Sequence, residues 1–392
     1  MNQLGAIKVL ELASVLAGPG VGQFFAELGA DVIKVENLRT GGDVTRTWKA
    51  SGEATDDRSA YFCAVNWGKR SIALDLSRKE GQKIVQELAR QADIVIASYK
   101  PGDSEKLGVD YKSLSSVNNG LIYGQITGYG AENPKVGYDA VVQAESGFMY
   151  MNGEPGGRSL KMPVALIDVL AGHHLKEGLL LAMLQRQQTG AGRLVEVSLL
   201  QAAISSLANQ ATNWLVGKKN PGKHGSAHPN IAPYGDIFST ADNKEFLLAV
   251  GNDRQFRDLC HLLRRDDVPS DSLFQTNESR VRNRQALNEI LGKAIREVDS
   301  VELLKKVNNA KIPAGLIRSV DQVFEMPEAK ELLLQYDNVF GVRTFVSDPV
   351  SLQDSHLPPP PHLGEHTTII LAESLNYSSE MTMNLRSAGI VG

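Results

Sequence analysis

The chain has 392 residues, enough for two domains or for one large α/β domain with an insertion. Hydrophobic residues make up 42% and charged residues 22%, which is typical of a folded globular protein and excludes a disordered chain. The formal net charge of -4, without a long basic block, argues against a dedicated nucleic-acid binder, because phosphate contacts need a concentrated Lys/Arg surface.

The first part of the chain alternates strand-like and helix-like segments. Apolar runs rich in β-branched residues predict strands at 7–12, 31–36, 71–75, 93–97 and 120–126. Between them, helices are predicted at 18–28 and 79–91. This alternation predicts βαβ units, and hence a mostly parallel sheet covered by helices.

A long helix is predicted from Asp168 to about Gln188, where the glycines of 190–192 end it. A short strand at 195–197 and a second long helix at 199–215 follow. The stretch 217–233, rich in Gly, Lys, Pro and His, then breaks the pattern and indicates a domain boundary.

The rest of the chain predicts a smaller α+β domain and a return to the first one. A hairpin is predicted at 236–239 and 245–250, with helices near 253–263, 283–298 and 300–308. From about Leu332 strands return, followed by the proline run 358–361, a stiff extended connector, and by a helix near 367–375. We therefore expect a large domain at 1–216, a small domain with its linker at 217–330, and a return to the large domain at 331–392.

The two cysteines, Cys63 and Cys260, are far apart and lack metal-type spacing, which favours two reduced thiols over a disulfide. The N-terminus lacks the features of a signal peptide, and no apolar run reaches the ~18 residues of a membrane span. We expect a cytoplasmic protein, or a mitochondrial or peroxisomal matrix protein if the source is eukaryotic, with no membrane and no nucleic-acid partner.

Glycines at the start of the first predicted helix, in 17–22, and Glu36 after the second strand imitate a dinucleotide-binding fingerprint. The glycine spacing differs from that fingerprint, and Pro19 removes a backbone amide where a pyrophosphate needs donors. A proline that begins a helix is the better interpretation. A nicotinamide enzyme is kept only as a minor alternative.

Asp168 lies in MPVALIDVLAGHH (162–174), where an apolar segment meets the long helix. Its simplest interpretation is an N-cap that satisfies orphan amides. The same position suits a nucleophile, because helix amides and the macrodipole would keep the carboxylate ionised and able to attack an acyl group. His173 and His174 face different sides of the helix and cannot form an i, i+4 metal pair. HExxH, CxxC and GxSxG motifs are absent.

Ten stretches taken together resemble the family III CoA-transferases, of the CaiB/BaiF type. They are VLELASVLAGP (9–19), LGADVIKVE (28–36), GGDVTRTW (41–48), NWGKRSIALDL (66–76), GYDAVVQAESG (137–147), PVALIDVLAG (163–172), TGAGRLVEVSLL (189–200), AHPNIAPY (227–234), AVGNDRQF (249–256) and PPPPHLGEHT (358–367). Each piece alone is weak, and the specificity lies in their joint order over almost the whole chain. The second half most resembles the succinyl-CoA:dicarboxylate transferases, such as those that act on glutarate.

The resemblance implies a fold and an assembly. Each protomer is expected to have a Rossmann-like large domain with a parallel sheet, built from both chain ends, and a smaller inserted α+β domain. Two such protomers form an interlocked homodimer, and threading of the chains would make that dimer obligate.

The resemblance makes Asp168 the catalytic residue. Its carboxylate is expected to attack the donor acyl-CoA, which gives an aspartyl anhydride and CoA thiolate. The thiolate is then expected to attack the anhydride, which leaves a β-aspartyl-CoA thioester and releases the donor acid. An acceptor carboxylic acid would reverse these steps. The CoA thioester is a substrate, and neither a permanently bound cofactor nor a metal is implied.

The resemblance also assigns contacts to CoA. They are Val15, Leu16 and Ala17 after the first strand, Arg39 (with Asn37 as the alternative) at the nucleotide phosphates, Leu74 and Ser77 around the adenine, and Ser98, Tyr99 and Lys106 in a later loop. Gly251 is assigned to a loop that closes over the reacting carboxylate. Without the resemblance, Arg39 and Lys106 would be interpreted as solvated surface charges.

Two departures from the family pattern bear on the reaction. The racemase branch has a His-Asp pair where this chain has Tyr138 and Asp139, so the base for an α-proton is missing and racemisation is disfavoured. Formyl-CoA transferases have a glutamine where this chain has Leu16, which disfavours formyl or oxalate transfer. We expect succinyl-CoA as donor and a dicarboxylate as acceptor. Racemisation, transfer from acetyl-CoA or formyl-CoA, and CoA binding without catalysis stay open as alternatives.

Overall fold

The computed structural model describes residues 4–344 and 357–392. Within these ranges the chain forms two compact units. The large unit comprises the described parts of Met1–Gly147, Met162–Lys218 and Glu331–Gly392, and the small unit comprises Phe148–Lys161 and Lys219–Lys330.

A six-stranded parallel sheet forms the centre of the large unit. Its strands are β1 (Lys8–Leu12), β2 (Asp31–Asn37), β3 (Lys69–Leu74), β4 (Ile94–Ala97), β5 (Ile122–Thr127) and β6 (Leu194–Ser198). They lie in the order 3-2-1-4-5-6, and every neighbouring pair is parallel. This is the strand order of the doubly wound Rossmann fold, so the predicted α/β class is confirmed. The order reverses between β1 and β4.

Helices cover the sheet and make up much of the small unit. In chain order they are α1 (Ala17–Glu27), α2 (Ala60–Cys63), α3 (Lys79–Ala89), α4 (Asp103–Lys106), α5 (Tyr111–Ser115), α6 (Asp139–Glu145), α7 (Phe148–Met151), α8 (Leu166–Thr189), α9 (Leu199–Ser205), α10 (Asn209–Leu215), α11 (Asp253–Leu262), α12 (Asn277–Arg282), α13 (Arg284–Ile295), α14 (Ser300–Asn309), α15 (Val320–Phe324), α16 (Pro327–Lys330), α17 (Thr367–Leu375) and α18 (Ser379–Ser387). None of the helices in the two described ranges has the length and hydropathy needed to cross a membrane.

The end of α8 agrees with the sequence prediction, whereas the helix predicted for 199–215 does not. Gly190 ends α8 in the left-handed conformation, at φ 71°, as the glycines there predict. The single helix predicted for 199–215 is wrong, because α9 and α10 are separate helices. Ala208, at φ 49°, interrupts the helix between them. Because alanine rarely adopts positive φ, the sequence at this position does not predict the interruption.

The small unit contains a three-stranded antiparallel sheet. Its strands are β7 (Tyr234–Ser239), β8 (Glu245–Ala249) and β9 (Ala314–Leu316), in the order 7-8-9. The predicted hairpin corresponds to β7 and β8 and is confirmed. Buried aromatic and aliphatic side chains from this sheet and from α11, α13 and α14 form one apolar core.

The last part of the chain packs on the large unit. The hairpin β10 (Leu333–Tyr336) and β11 (Val339–Val342) belongs to it, and the proline segment contacts it through Pro358, whose carbonyl accepts from Gly68 N–H. Beyond α18, the chain end runs beside β3, where Gly392 N–H donates to the Ala73 carbonyl.

Candidate active site

A cavity of about 240 Å³ opens at the carboxyl edge of the parallel sheet. The loops after β1, β4 and β5 line it, through residues 14–18, 98–101 and 128. Parallel strands end on the same edge, and a crevice forms where the strand order reverses, which here is between β1 and β4. Lys135, Tyr138, Asp139 and Asp168 add polar side chains to the lining.

Asp168 is the third residue of α8, and 8% of it is exposed. Within the described ranges its carboxylate accepts no hydrogen bond and forms no ion pair. A buried carboxylate without a partner is costly, and such groups concentrate where a ligand or a reaction uses them. Asp168 is therefore the first candidate for chemistry in this cavity.

The interpretation of Asp168 as the N-cap of its helix is wrong. The N-cap position of α8 is occupied by Ala165, which offers no side-chain acceptor. The cap comes instead from Asp139, whose Oδ1 accepts a hydrogen bond of 2.8 Å from Ile167 N–H. Because Asp139 satisfies the helix, the Asp168 carboxylate is free to face the cavity.

Burial raises the pKa of Asp168 from 3.8 to about 7, and the neighbouring Asp139 carboxylate adds to the rise. The expectation that the helix start keeps Asp168 fully ionised at neutral pH is therefore wrong. The macrodipole favours the anion, but the loss of hydration outweighs it. Near pH 7 both forms of the side chain are populated.

Asp139 has the opposite environment, although it lines the same cavity. Its Oδ2 accepts from Gln143 Nε2 at 2.7 Å, and Gln143 Oε1 in turn accepts from Met162 N–H at 2.8 Å. One carboxylate is thus locked by hydrogen bonds and the other has none. Such a pair suits one positioning group and one reacting group.

The loop after β1 brings backbone donors to the cavity. The N-cap residue of α1 is Leu16, without a side-chain cap, and the first-turn amides of Ala17 and Gly18 have no partner within the helix. Ser98 helps to fix this loop, since its Oγ accepts from Ser14 N–H at 3.2 Å. Amides at a helix start can stabilise negative charge that develops on a reacting oxygen.

A second cavity, of about 790 Å³, adjoins the first and shares Ser14 and Tyr99 with it. Arg39 and Ser77 line this second cavity, and Arg39 Nη1 donates to Ser77 Oγ at 3.2 Å. Asn37 lines it too, but its side-chain oxygen is already used by Arg39 N–H, at 3.0 Å. Of the two candidates for a phosphate contact, Arg39 is thus the one with an available cationic group.

Three of the residues assigned to CoA or substrate are not among the lining residues of these two cavities. Leu74 is fully buried in the core at the end of β3. Lys106 is exposed, lines neither cavity, and pairs with Asp103 at 3.1 Å. Gly251 belongs to the small unit, where its N–H donates to Gln255 Oε1 at 2.9 Å. The roles given to these three residues stay predictions.

One group of side chains in the described ranges has metal-type ligands close together, namely Asp56, Asp57 and His362. All three side chains are exposed or half-buried, and each already forms an ion pair. Asp56 pairs with Arg58, Asp57 with Arg46, and His362 with Asp57. We assign no metal to this hydrogen-bonded cluster.

Three residues near the site were not predicted from sequence, namely Lys34, Asp43 and Gln143. Lys34 carried a signal, because a lysine inside the apolar strand DVIKVE needs a buried partner. Asp43 and Gln143 carried none, since each acts on backbone far along the chain: Asp43 on Val15, 28 residues away, and Gln143 on Met162, 19 residues away.

Comparison with known proteins adds independent information. The sequence profile of CoA-transferase family III matches residues 4–367. A succinate–glutarate CoA-transferase from Agrobacterium fabrum is 39% identical over 387 residues, which cover 94% of this chain and 95% of the relative. A succinyl-CoA:glutarate CoA-transferase from Homo sapiens is 34% identical over 400 residues, covering 100% of this chain and 90% of the relative. A solved CAIB/BAIF family protein from Brucella suis has a TM-score of 0.84 and 39% identity, over 94% of this chain and 98% of that one.

Proposed function

This chain belongs to CoA-transferase family III, and on that basis we propose that it moves CoA from succinyl-CoA to a dicarboxylic acid, with Asp168 as the residue that carries the acyl group. The resemblance found from the sequence motifs is thereby confirmed. One observation carries the proposal: a buried carboxylate without a partner lines a cavity next to a helix start whose amides are unpaired. That arrangement suits a nucleophile and the donors that stabilise its transition state.

The reaction proceeds in four steps. The Asp168 carboxylate attacks the thioester carbonyl, which forms a mixed anhydride and releases CoA thiolate. The thiolate attacks the aspartyl carbonyl of the anhydride, which forms a β-aspartyl thioester and releases succinate. The acceptor carboxylate then displaces the thiolate from Asp168, and the thiolate finally takes the acceptor acyl group, which restores the free carboxylate. Burial of Asp168 supports this route, because water that reached either intermediate would destroy it.

The choice of acids is supported by the relatives and by the charges at the cavity. Relatives that align with nearly the whole chain are named for succinate or succinyl-CoA and glutarate. Lys100 and Lys135 line the cavity that contains Asp168, and Lys135 is already paired with Glu145. Lys100 is therefore the cation that we assign to the second carboxylate of a dicarboxylic acid.

The two adjoining cavities suggest how CoA lies. Its nucleotide occupies the larger cavity at Arg39 and Ser77, and its pantetheine arm passes Ser14 and Tyr99 to reach Asp168. An extended ligand of this kind needs a continuous path, which the shared lining residues support.

Replacing Arg39 by alanine is expected to raise the KM for succinyl-CoA about tenfold, with kcat little changed. A guanidinium contact to phosphate binds the substrate and the transition state equally, so its loss weakens binding without raising the barrier of the chemical step. Steady-state kinetics at two salt concentrations would measure it, and the effect should shrink as salt screens the exposed charge. Arg90→Ala, which removes an exposed arginine at the end of α3, is the matched control. An unchanged KM in Arg39→Ala would contradict the placement of the nucleotide.

Racemisation of an acyl-CoA is the competing function, and the cavity argues against it. Abstraction of an α-proton needs a base such as histidine, and none of the residues that line the described cavity around Asp168 is a histidine. Tyr138 occupies the position where the racemase branch has its base. Incorporation of solvent deuterium at the α-carbon without any acceptor acid would favour racemisation instead.

The function is tested directly by supplying succinyl-CoA with a panel of mono- and dicarboxylic acids and following the acyl-CoA products. We expect turnover with dicarboxylates, glutarate among them, and little with monocarboxylates or oxalate. Hydroxylamine added during turnover should trap the activated Asp168 as a hydroxamate, visible in the mass of its peptide. Saturable CoA binding without transfer to any acid would overturn the proposal.

A second copy of the chain completes our proposal for the assembly. Several large apolar side chains of the large unit are exposed on α8 and α10, namely Leu180, Leu181, Leu184, Trp214 and Leu215. Exposed apolar surface of this extent is typical of an oligomer interface and supports the interlocked homodimer that the sequence resemblance implies. Sedimentation equilibrium should give the mass of two chains, and a monomer at micromolar concentration would contradict it.

The compartment is part of the same proposal. Cys63 and Cys260 are both buried and unpaired, which fits a reducing environment. We place the protein in the cytoplasm, or in an organelle matrix if its source is eukaryotic.

A further inference from the structure

Four charged side chains form a buried cluster under the loop that follows β1. Glu11 lies on β1, Lys34 on β2, Lys69 at the start of β3 and Asp43 after β2, and no more than 4% of any of them is exposed. The Lys34 ammonium lies 2.9 Å from Glu11 Oε1 and 2.9 Å from Asp43 Oδ2. The Lys69 ammonium lies 2.7 Å from Glu11 Oε2. Two cations and two anions thus alternate, and the charges within this cluster balance.

The two lysines also hold the backbone of the loop. Lys34 Nζ donates to the carbonyl of Ala13 at 2.9 Å, and Lys69 Nζ donates to the carbonyl of Pro19 at 2.9 Å. Packing above the cluster is tight, because a Cβ on Gly22 of α1 would overlap the Glu11 carboxylate. The cluster therefore fixes both ends of the segment 13–19, which contributes residues 14–18 to the cavity lining.

Asp43 holds the middle of that segment. Val15 N–H lies 3.3 Å from each oxygen of the Asp43 carboxylate, and Thr45 donates to Oδ1 through its N–H at 3.0 Å and its hydroxyl at 2.8 Å. Burial opposes ionisation of Asp43, but the Lys34 ammonium and these hydrogen bonds hold its pKa below the usual value. The acceptor for Val15 thus stays charged and fixed in place.

Val15 has a backbone conformation that its side chain disfavours. Its φ is 75°, in the left-handed region, where a β-branched residue is strained and persists only if its surroundings enforce the conformation. The N–H and C=O of a trans peptide point in opposite directions. Turning Val15 N–H toward Asp43 therefore turns the Ser14 carbonyl away from the buried cluster. Ser14 and Val15 both line the cavity that contains Asp168.

We propose that Asp43 is a positioning residue for CoA transfer: its carboxylate holds Val15 in the left-handed conformation and so fixes the loop 14–17 that lines the cavity with Asp168. The inference rests on the proposed function and adds a residue that lines the larger cavity and acts on the reacting cavity through the backbone of Val15. Its contribution is preorganisation, since a loop already held in place needs no rearrangement when charge develops on the reacting acyl group.

A double-mutant cycle with Asp43→Asn and Val15→Gly tests the inference. The amide of Asp43→Asn cannot accept from both Lys34 and Val15 without turning its NH₂ donor toward one of them. Glycine adopts positive φ without strain, so in the Val15→Gly background the loop depends much less on Asp43. We expect Asp43→Asn to lower kcat/KM about 30-fold with Val15 present but only about threefold in the Val15→Gly background, a clear departure from additivity.

A matched control separates positioning from a general loss of stability. Asp236 is also a buried aspartate that accepts a backbone N–H, from Tyr234, and pairs with a cation, Arg284. Asp236→Asn should destabilise the small unit to urea and show no coupling to Val15→Gly. If Asp43→Asn lowered activity only in proportion to its loss of stability, or by the same factor in both backgrounds, the positioning role would be wrong.

Two further measurements bear on the role of Asp43. If Asp43→Asn does not fold, Thr45→Val loosens Asp43 while keeping all four charges, and its coupling to Val15→Gly should be smaller and of the same sign. Hydrogen exchange of the peptide containing 13–19 can be measured without substrate. It should be faster in Asp43→Asn and in Thr45→Val than in the wild type. A wild type that transferred CoA to no acid would contradict the proposed function. Hydrogen exchange at 13–19 that was the same in the variants and the wild type would contradict the role of Asp43 alone.

Discussion

Replacing Asp168 by asparagine is expected to abolish CoA transfer and, at the same time, to stabilise the folded protein above pH 7. The amide cannot form the anhydride, so kcat/KM should fall by roughly 10³-fold or more, as expected for loss of a nucleophile. The stability effect follows from the same burial that makes the residue reactive, because the pKa of Asp168 rises from 3.8 to about 7 in the folded chain.

The sign of the stability effect depends on pH. A carboxyl group whose pKa is raised by folding binds more protons in the folded state, so its penalty on stability appears as pH rises through the interval from 3.8 to about 7. The neutral amide avoids this penalty, so the advantage of Asp168→Asn should grow by roughly 2.5 kcal/mol between pH 5 and pH 8.

Urea unfolding at both pH values, with activity measured on the same samples, would check the two effects together. Glu373→Gln makes the same chemical change on an exposed side chain of α17 and should alter neither quantity. An Asp168→Asn variant that kept normal turnover would contradict the mechanism. A variant that was inactive but gained no stability at pH 8 would contradict the account of burial.

The parallel sheet could be predicted from sequence because its information is local. Strands buried on both faces need continuous apolar runs, and the segment 94–97 (IVIA) shows one directly. The helix break at Ala208 could not be predicted, because its positive φ is imposed by the surrounding structure. Identification of the reaction came from the joint order of motifs, which no single segment carries.

The candidate site shows the same division between local and distant information. Asp168 was correctly placed at the start of a helix, but the group that caps this helix, Asp139, lies 28 residues earlier in the chain than its backbone partner Ile167. The pKa of Asp168 was mispredicted for the same reason, since hydration depends on which segments cover a residue. Tertiary packing sets that cover, and periodicity does not encode it.

Transfer is expected to decline in acid, with a midpoint near pH 7. Only the ionised form of Asp168 is a nucleophile, so with a pKa of about 7 the value of kcat/KM should be about 100-fold lower at pH 5 than at pH 8. The ratio kcat/KM for succinyl-CoA is the quantity to follow, because it reports groups of the free enzyme. Measurements at constant ionic strength keep the exposed charges of the CoA site comparable across the range.

Asp139→Asn shows how much of that midpoint comes from the neighbouring charge. The substituted amide can still accept from Ile167 N–H, so the helix keeps its cap, although its NH₂ then faces the Gln143 donor and some stability is lost. The midpoint should move to lower pH but stay above 3.8, because burial of Asp168 remains and is the larger cause. An acid limb that did not move would mean that burial alone sets the pKa. The absence of any limb between pH 5 and pH 9 would contradict a half-ionised Asp168 as the nucleophile.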